Sequence, residues 1–112
     1  MILPPILTLE DIPYLNNLIK DQKVKADAER LEWTTNDKQE MSMREGRHLR
    51  NLTTLKEFVL TGAKIENYSA GLVIIDDKFI ASLASNKWRV EGKNKWYWYK
   101  SPSQLVDKYV RK

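Results

Sequence analysis

Between Lys87 and Lys100 the chain interleaves five aromatic rings, Trp88, Trp96, Tyr97, Trp98 and Tyr99, with five cations, Lys87, Arg89, Lys93, Lys95 and Lys100. Cations neutralise phosphate and release its counterions, and rings stack on splayed bases for about 1 to 3 kcal/mol each, so this mixture suits a nucleic-acid strand. The same residue types also suit a plain hairpin. Aromatic residues favour strands, and cross-strand pairs such as Arg89 with Tyr97 or Glu91 with Lys95 stabilise them by tenths of a kcal/mol. Both readings stay open at this level.

Hydrolysis is the second chemistry the residue types allow. Metal-dependent nucleases of the restriction type set an Asp on one strand and a Glu-x-Lys on the next, so that two carboxylates hold Mg²⁺ and the lysine helps activate water. Asp76, Asp77 and the tripeptide Glu91-Gly92-Lys93 resemble that motif in outline. They depart from it at Gly92, where a buried apolar residue is usual, and in falling on segments that also read as turns.

Other catalytic sets are thin. His48 is the only histidine, so histidine-rich metal sites are excluded and a Ser-His-Asp triad would depend on one residue. Between Arg47 and Leu49 it reads as a boundary side chain of a helix. Met41 and Met43 read as core filling. Arg44, Arg47 and Arg50, spaced i, i+3, i+6, form a solvated helix face beside Glu40 and Glu45, with phosphate contact as the alternative. Four scattered glycines make no phosphate loop, and without cysteine there is no thiolate nucleophile, disulfide or zinc–thiolate site. The expectation is a protein that is not an enzyme, with no catalytic residues, no metal and no cofactor. Its candidate nucleic-acid-binding residues are Lys87, Arg89, Lys95, Tyr97 and Tyr99.

The elements that must position these residues follow from periodicity. Thr8 and Asp11 resemble a helix cap, Pro13 falls in the first turn, and Ile12, Leu15, Leu18 and Ile19 form an apolar stripe. The segment then turns polar as far as Leu31 and Trp33. A break is expected at Thr34 to Asn36, then a second helix from about Asp37 to Leu60, with Met41, His48, Leu49, Leu52, Leu55, Phe58 and Val59 on its apolar side. Gly46 weakens that helix and Gly62 sits where it stops.

From Leu72 the period becomes two. A two-residue loop at Asp76-Asp77 would pair Ile74 with Phe79, a loop at Ser85-Asn86 would pair Leu83 with Trp88, and a loop at residues 92–94 would pair Arg89 with Tyr97 and Trp88 with Trp98. This register predicts a four-stranded antiparallel meander with two distinct faces. Leu72, Ile74, Phe79, Ala81, Leu83, Trp88, Val90, Trp96 and Trp98 form the core face. Val73, Ile75, Ile80, Lys87, Arg89, Lys95, Tyr97 and Tyr99 form the other. Ser101, Pro102 and Gln104 then signal a capped closing helix that buries Leu105, Val106, Tyr109 and Val110.

The predicted fold class is α+β: two N-terminal helices, a four-stranded antiparallel β-meander and a C-terminal helix packed on the apolar sheet face. At 112 residues the chain fits one domain, with a helical part at about 8–62, a sheet at about 71–100 and a closing helix at about 102–110. Residues 69–112 carry nine Lys or Arg against four Asp or Glu, while the rest is close to neutral. That asymmetry fits a polyanionic partner as well as plain solubility. No apolar run is long enough to span a bilayer, and the start lacks a basic signal region, so no membrane partner and a cytoplasmic location are expected.

The run KWRVEGKNKWYWYKSPSQLVDKYV, strands followed by a capped amphipathic helix, is similar in pattern to small sheet-reading DNA-binding domains of the plant-regulator and integrase-arm kind. The likeness covers Lys78 to Val110. In overall manner, short and basic with a tryptophan-rich hairpin, the chain also resembles small uncharacterised phage proteins. The resulting expectation is a non-enzymatic nucleic-acid-binding accessory protein, with a homodimer or protein-interaction module built on the helices as the alternative. No small-molecule substrate is evident.

Overall fold

A computed structural model describes residues 4–36, 44–69 and 71–110. Two extended residues, β1 (Ile6–Leu7), lead into the helical part. Thr8 and Asp11 close a capping box over the 3-10 turn Leu9–Asp11: Thr8 Oγ1 accepts from the Glu10 N–H at 3.3 Å, and Asp11 Oδ2 accepts from the Thr8 N–H at 2.8 Å. Helix α1 (Ile12–Asn36) follows without a break at Thr34 to Asn36. Threonine and asparagine are only mildly unfavourable inside a helix, too weakly to force a break.

Helix α2 (Arg44–Leu60) packs against α1. The expected start of this helix at Asp37, with Met41 and Met43, lies outside the described residues, as do the side chains of Leu31 and Trp33. A carboxylate from α1 supplies its cap: Glu29 Oε1 accepts from the N–H groups of Glu45 and Gly46 at 3.0 and 3.3 Å. These are orphan donors of the first turn, and negative charge is favoured there. Beside it, the buried Gln22 Nε2 donates to the Glu45 carbonyl at 3.0 Å and to Glu45 Oε1 at 2.7 Å. That amide holds the Glu45 carboxyl below the usual range. Gly62, at φ +83°, ends α2, and its N–H returns to the Val59 carbonyl at 3.0 Å.

The remaining strands are β2 (Ile65–Ser69), β3 (Leu72–Ile75), β4 (Phe79–Ser82), β5 (Lys87–Val90) and β6 (Tyr97–Trp98). The sheet is antiparallel in the order β1-β2-β3-β4-β5-β6. The α+β class and the meander hold, but the described sheet has six strands where four are expected. The two additions lie on the β3 side, and β1 is too short and too close to Pro4 and Pro5 to show a period of two. It is tied in by Ile6 opposite Glu66 and Leu7 opposite Ile65.

The register also differs. Ile75 pairs with Phe79, Ile74 with Ile80 and Val73 with Ala81, one residue away from the two-residue loop reading. Asp76 and Asp77 both take positive φ, as such a loop requires, and the Lys78 N–H does close on the Ile75 carbonyl at 3.1 Å. Lys78, however, stays outside the ladder, and that extra residue exchanges the faces of β3. Between β4 and β5 the slip is two residues, with Ala81 opposite Trp88, so the faces of β5 survive. Between β5 and β6 the slip is again one: Trp88 faces Tyr97, and Lys87 faces Trp98.

The core therefore gathers Leu7, Ile65, Val73, Ile75, Phe79, Ala81, Leu83, Trp88 and Tyr99 from the sheet side. Against them lie Leu15 of α1 and Leu55, Phe58 and Val59 of α2. Helix α3 (Pro102–Leu105), continuing as a π-helical turn at Val106–Val110, adds Leu105 and Val106. Ser101 caps it, its Oγ accepting from the Gln104 N–H at 3.2 Å, while Gln104 Oε1 accepts from the Lys100 N–H at 3.3 Å. Among the described residues no helix is long and apolar enough to cross a membrane.

Candidate functional site

The antiparallel register places two rows of side chains on the sheet face opposite the helical core. One row runs Ile6, Glu66, Ile74, Ile80, Arg89, each directly opposite the next. Arg89 lies over the Trp96 ring, 5.3 Å from its centroid, and so extends the row onto the edge. The second row brings Leu72 opposite Ser82 and, further along, Lys87 opposite Trp98. Lys87 Nζ lies 4.8 Å from the Trp98 ring centroid. The site is thus two cation–π pairs side by side, Lys87 with Trp98 and Arg89 with Trp96, standing beside a strip of buried Ile74 and Ile80.

Both indoles reach solvent: Trp98 is 72% exposed and Trp96 41%. This corrects the expectation that Trp96 and Trp98 belong to the core with Trp88. Only Trp88 does, at 5% exposure, ringed by Tyr109 at 4.6 Å, Tyr97 at 5.1 Å and Phe79 at 5.7 Å. Because the β6 register is one residue from the expected one, tryptophans and tyrosines trade faces.

The five sequence-predicted residues are accordingly divided. Lys87 and Arg89 share the open face. Tyr97 shares the face of Trp88 and stacks on it while staying 43% exposed, with Lys95 Nζ over its ring at 5.3 Å. Tyr99 is buried and leaves the set of contact residues: its hydroxyl donates to the Ser82 carbonyl at 2.6 Å, and its N–H donates to the Asn86 carbonyl at 3.0 Å. Its ring meets Phe58 edge-on at 5.6 Å. Sequence reasoning missed Trp96 and Trp98 as face residues. The anchor that sets the phase, the Tyr99 hydroxyl on the Ser82 carbonyl, joins residues far apart in the chain and leaves no signal in the local sequence.

Burial, and secondarily the Glu57 carboxylate, push the Tyr99 hydroxyl well above the ordinary tyrosine range. A group whose folded pKa is raised contributes stability in full below its unfolded pKa and loses it as pH rises beyond that value. Folding stability is therefore expected to fall above about pH 10, where the unfolded chain's Tyr99 ionises and the folded one does not. Urea denaturation from about pH 8 to about pH 11 should show this decline, and Tyr99→Phe should remove its share while costing stability at neutral pH through the lost hydrogen bond.

Arg89 has a second task. Its Nη1 donates to the Lys93 carbonyl at 2.9 Å, which pins the turn between β5 and β6, where Gly92 takes φ +87°. The residues of the nuclease reading lie on two neighbouring turns at one end of the sheet, where the Glu91 N–H donates to the Lys78 carbonyl at 2.8 Å. Asp76 and Asp77 occupy the β3–β4 turn, Asp77 is paired with Lys64 at 3.1 Å, and Glu91 and Lys93 occupy the β5–β6 turn. Among the described residues no three His, Cys, Asp or Glu side chains come together as a metal site. His48 is an exposed residue of α2. Arg44 lies 3.8 Å from Glu45, and Arg50 lines a groove of about 360 Å³ with Glu57, Asn86, Lys100 and Ser101.

Comparison with protein-family models, with curated proteins and with solved structures finds no match to this chain.

Proposed function

We propose that the protein is a non-enzymatic nucleic-acid-binding protein that uses the open face of β5 and β6. The observation that carries this reading is the pairing of Lys87 with Trp98 and of Arg89 with Trp96, cation beside solvent-reaching indole twice over on the sheet face opposite the core cluster. A cation beside a ring offers phosphate neutralisation and a stacking surface within one nucleotide's reach. Lys95 adds positive charge beside the neighbouring Tyr97 ring. Glu66 confines the basic region to the β5–β6 half of the face, since it stands in the row beyond Ile74.

The test is a titration of the tryptophan fluorescence with generic oligonucleotides at low and physiological salt. Binding is expected to weaken steeply with salt. The double variant Lys87→Ala, Arg89→Gln is expected to bind weakly, with the slope of log affinity against log salt shallower by roughly 1 to 2. Glutamine keeps an amide donor toward the Lys93 carbonyl, and the melting curve checks that the turn holds. The competing reading, self-association through the helices, is favoured by exposed Val24 on α1 and Leu60 on α2. A salt-insensitive dimer indifferent to every oligonucleotide would select it.

A further inference from the structure

On the strength of that nucleic-acid reading, we infer that the ligand is a single strand, and that Trp96 and Trp98 seat two successive unstacked bases. Trp98 lies on β6 and Trp96 just before it, and their cation partners Lys87 and Arg89 stand two residues apart on β5, which sets the indoles side by side at about the 7 Å spacing of alternate residues in an extended strand. An extended nucleic-acid backbone places successive bases at a comparable spacing once they are unstacked. Rings in a duplex are already stacked on each other and offer an exposed protein ring no flat partner. A duplex would meet this face only through its phosphates.

The charge on the face points the same way. Only Lys87 and Arg89 stand in the two rows with the indoles, and each is already engaged with a ring, Arg89 also with the Lys93 carbonyl. Two cations make a thin phosphate clamp. A duplex reader spreads many more along its backbone, because phosphate contacts supply essentially all of its sequence-independent affinity. Here two large exposed rings outweigh two cations, and stacking is the larger contribution. The exposed surface of each indole is what a base would stack on. Trp98, the more exposed ring, carries the larger share.

The experiment uses the full chain and three fluorescein-labelled probes: an oligothymidylate of about twelve nucleotides, a strand of the same length made of abasic residues, and a duplex of that length. The expected result is binding to the oligothymidylate that is at least tenfold tighter than to either other probe. Trp98→Ala, an exposed substitution, should weaken oligothymidylate binding by about tenfold and leave abasic binding unchanged, with Trp98→Phe recovering much of the loss. Equal binding of the abasic strand or of the duplex would overturn the single-strand inference while leaving the basic-face reading in place. No binding of any probe at low salt would overturn both.

Discussion

Trp88→Ala is expected to destabilise the protein by about 3 to 5 kcal/mol, lowering the thermal midpoint by something like 10 to 20 °C. Trp88 is the hub of the aromatic cluster, touching Phe79 of β4, Tyr97 of β6 and Tyr109 after α3. Truncation leaves a cavity among elements that have no other ring in common. Net stabilities of about 5 to 15 kcal/mol make the variant marginal. The consequence reaches the opposite face. Only Tyr97 and Trp98 of β6 pair with β5, and the Trp88–Tyr97 stack is what binds that short strand on the core side. Oligonucleotide binding is therefore expected to weaken in Trp88→Ala even at temperatures where it remains folded. Denaturant melts followed by circular dichroism, with the titration repeated well below the midpoint, would check both parts. Unchanged stability would refute the assigned register of β6. Nε1 of Trp88 is buried without an acceptor among the described residues, so Trp88→Phe should cost much less than its loss of volume implies.

Phe58→Ala is expected to cost a comparable 3 to 5 kcal/mol or so, for a different reason. Phe58 is fully buried on α2 and meets Tyr99 edge-on, so it forms the wall against which the chain turns from β6 into α3. With the wall removed, water reaches the Tyr99 hydroxyl. The phenol should then titrate closer to the ordinary tyrosine range, and phenolate absorbance during an alkaline titration should rise at lower pH than in the parent protein. A variant that lost stability without moving the Tyr99 titration would place the contact elsewhere.

Much of the helical part is legible in the sequence because its signals are local. Thr8 with Asp11, Gly62, and Ser101 before Pro102 each act through hydrogen bonds or backbone angles within a few residues, and each does what its spacing implies. The apolar stripe of α2 is legible for the same reason: Leu52, Leu55, Phe58 and Val59 repeat at helical spacing and are buried. The sheet is harder to read because its strands lack polar alternation. Leu72-Val73-Ile74-Ile75 is apolar at every position and Trp96-Tyr97-Trp98-Tyr99 aromatic at every position, so a period of two carries no phase in either. β4 is nearly as uniform, with Phe79, Ile80 and Ala81 all buried.

Phase comes instead from individual anchors. Lys78 drops out of the ladder at one turn, and at the other end the Tyr99 hydroxyl finds the Ser82 carbonyl across the chain. Neither is a property of a window of sequence. The candidate site inherits this difficulty directly. Lys87 and Arg89 are read onto the correct face because a two-residue slip preserves faces, whereas the rings beside them are misassigned because a one-residue slip does not. β2 escapes notice for a related reason: a bulge at Tyr68, between Asn67 opposite Val73 and Ser69 opposite Leu72, interrupts its alternation after three residues.

The pairing of β1 with β2 separates this sheet into two kinds of assembly. Every other neighbouring pair is joined by a short turn, so β2 through β6 can zip along the chain with little loss of loop entropy. Leu7 meets Ile65 only after α1 and α2 have both been laid down between them. The first described strand is thus the last whose closure is rewarded, and a chain emerging from the ribosome must hold Ile6 and Leu7 unpaired until β2 has been made.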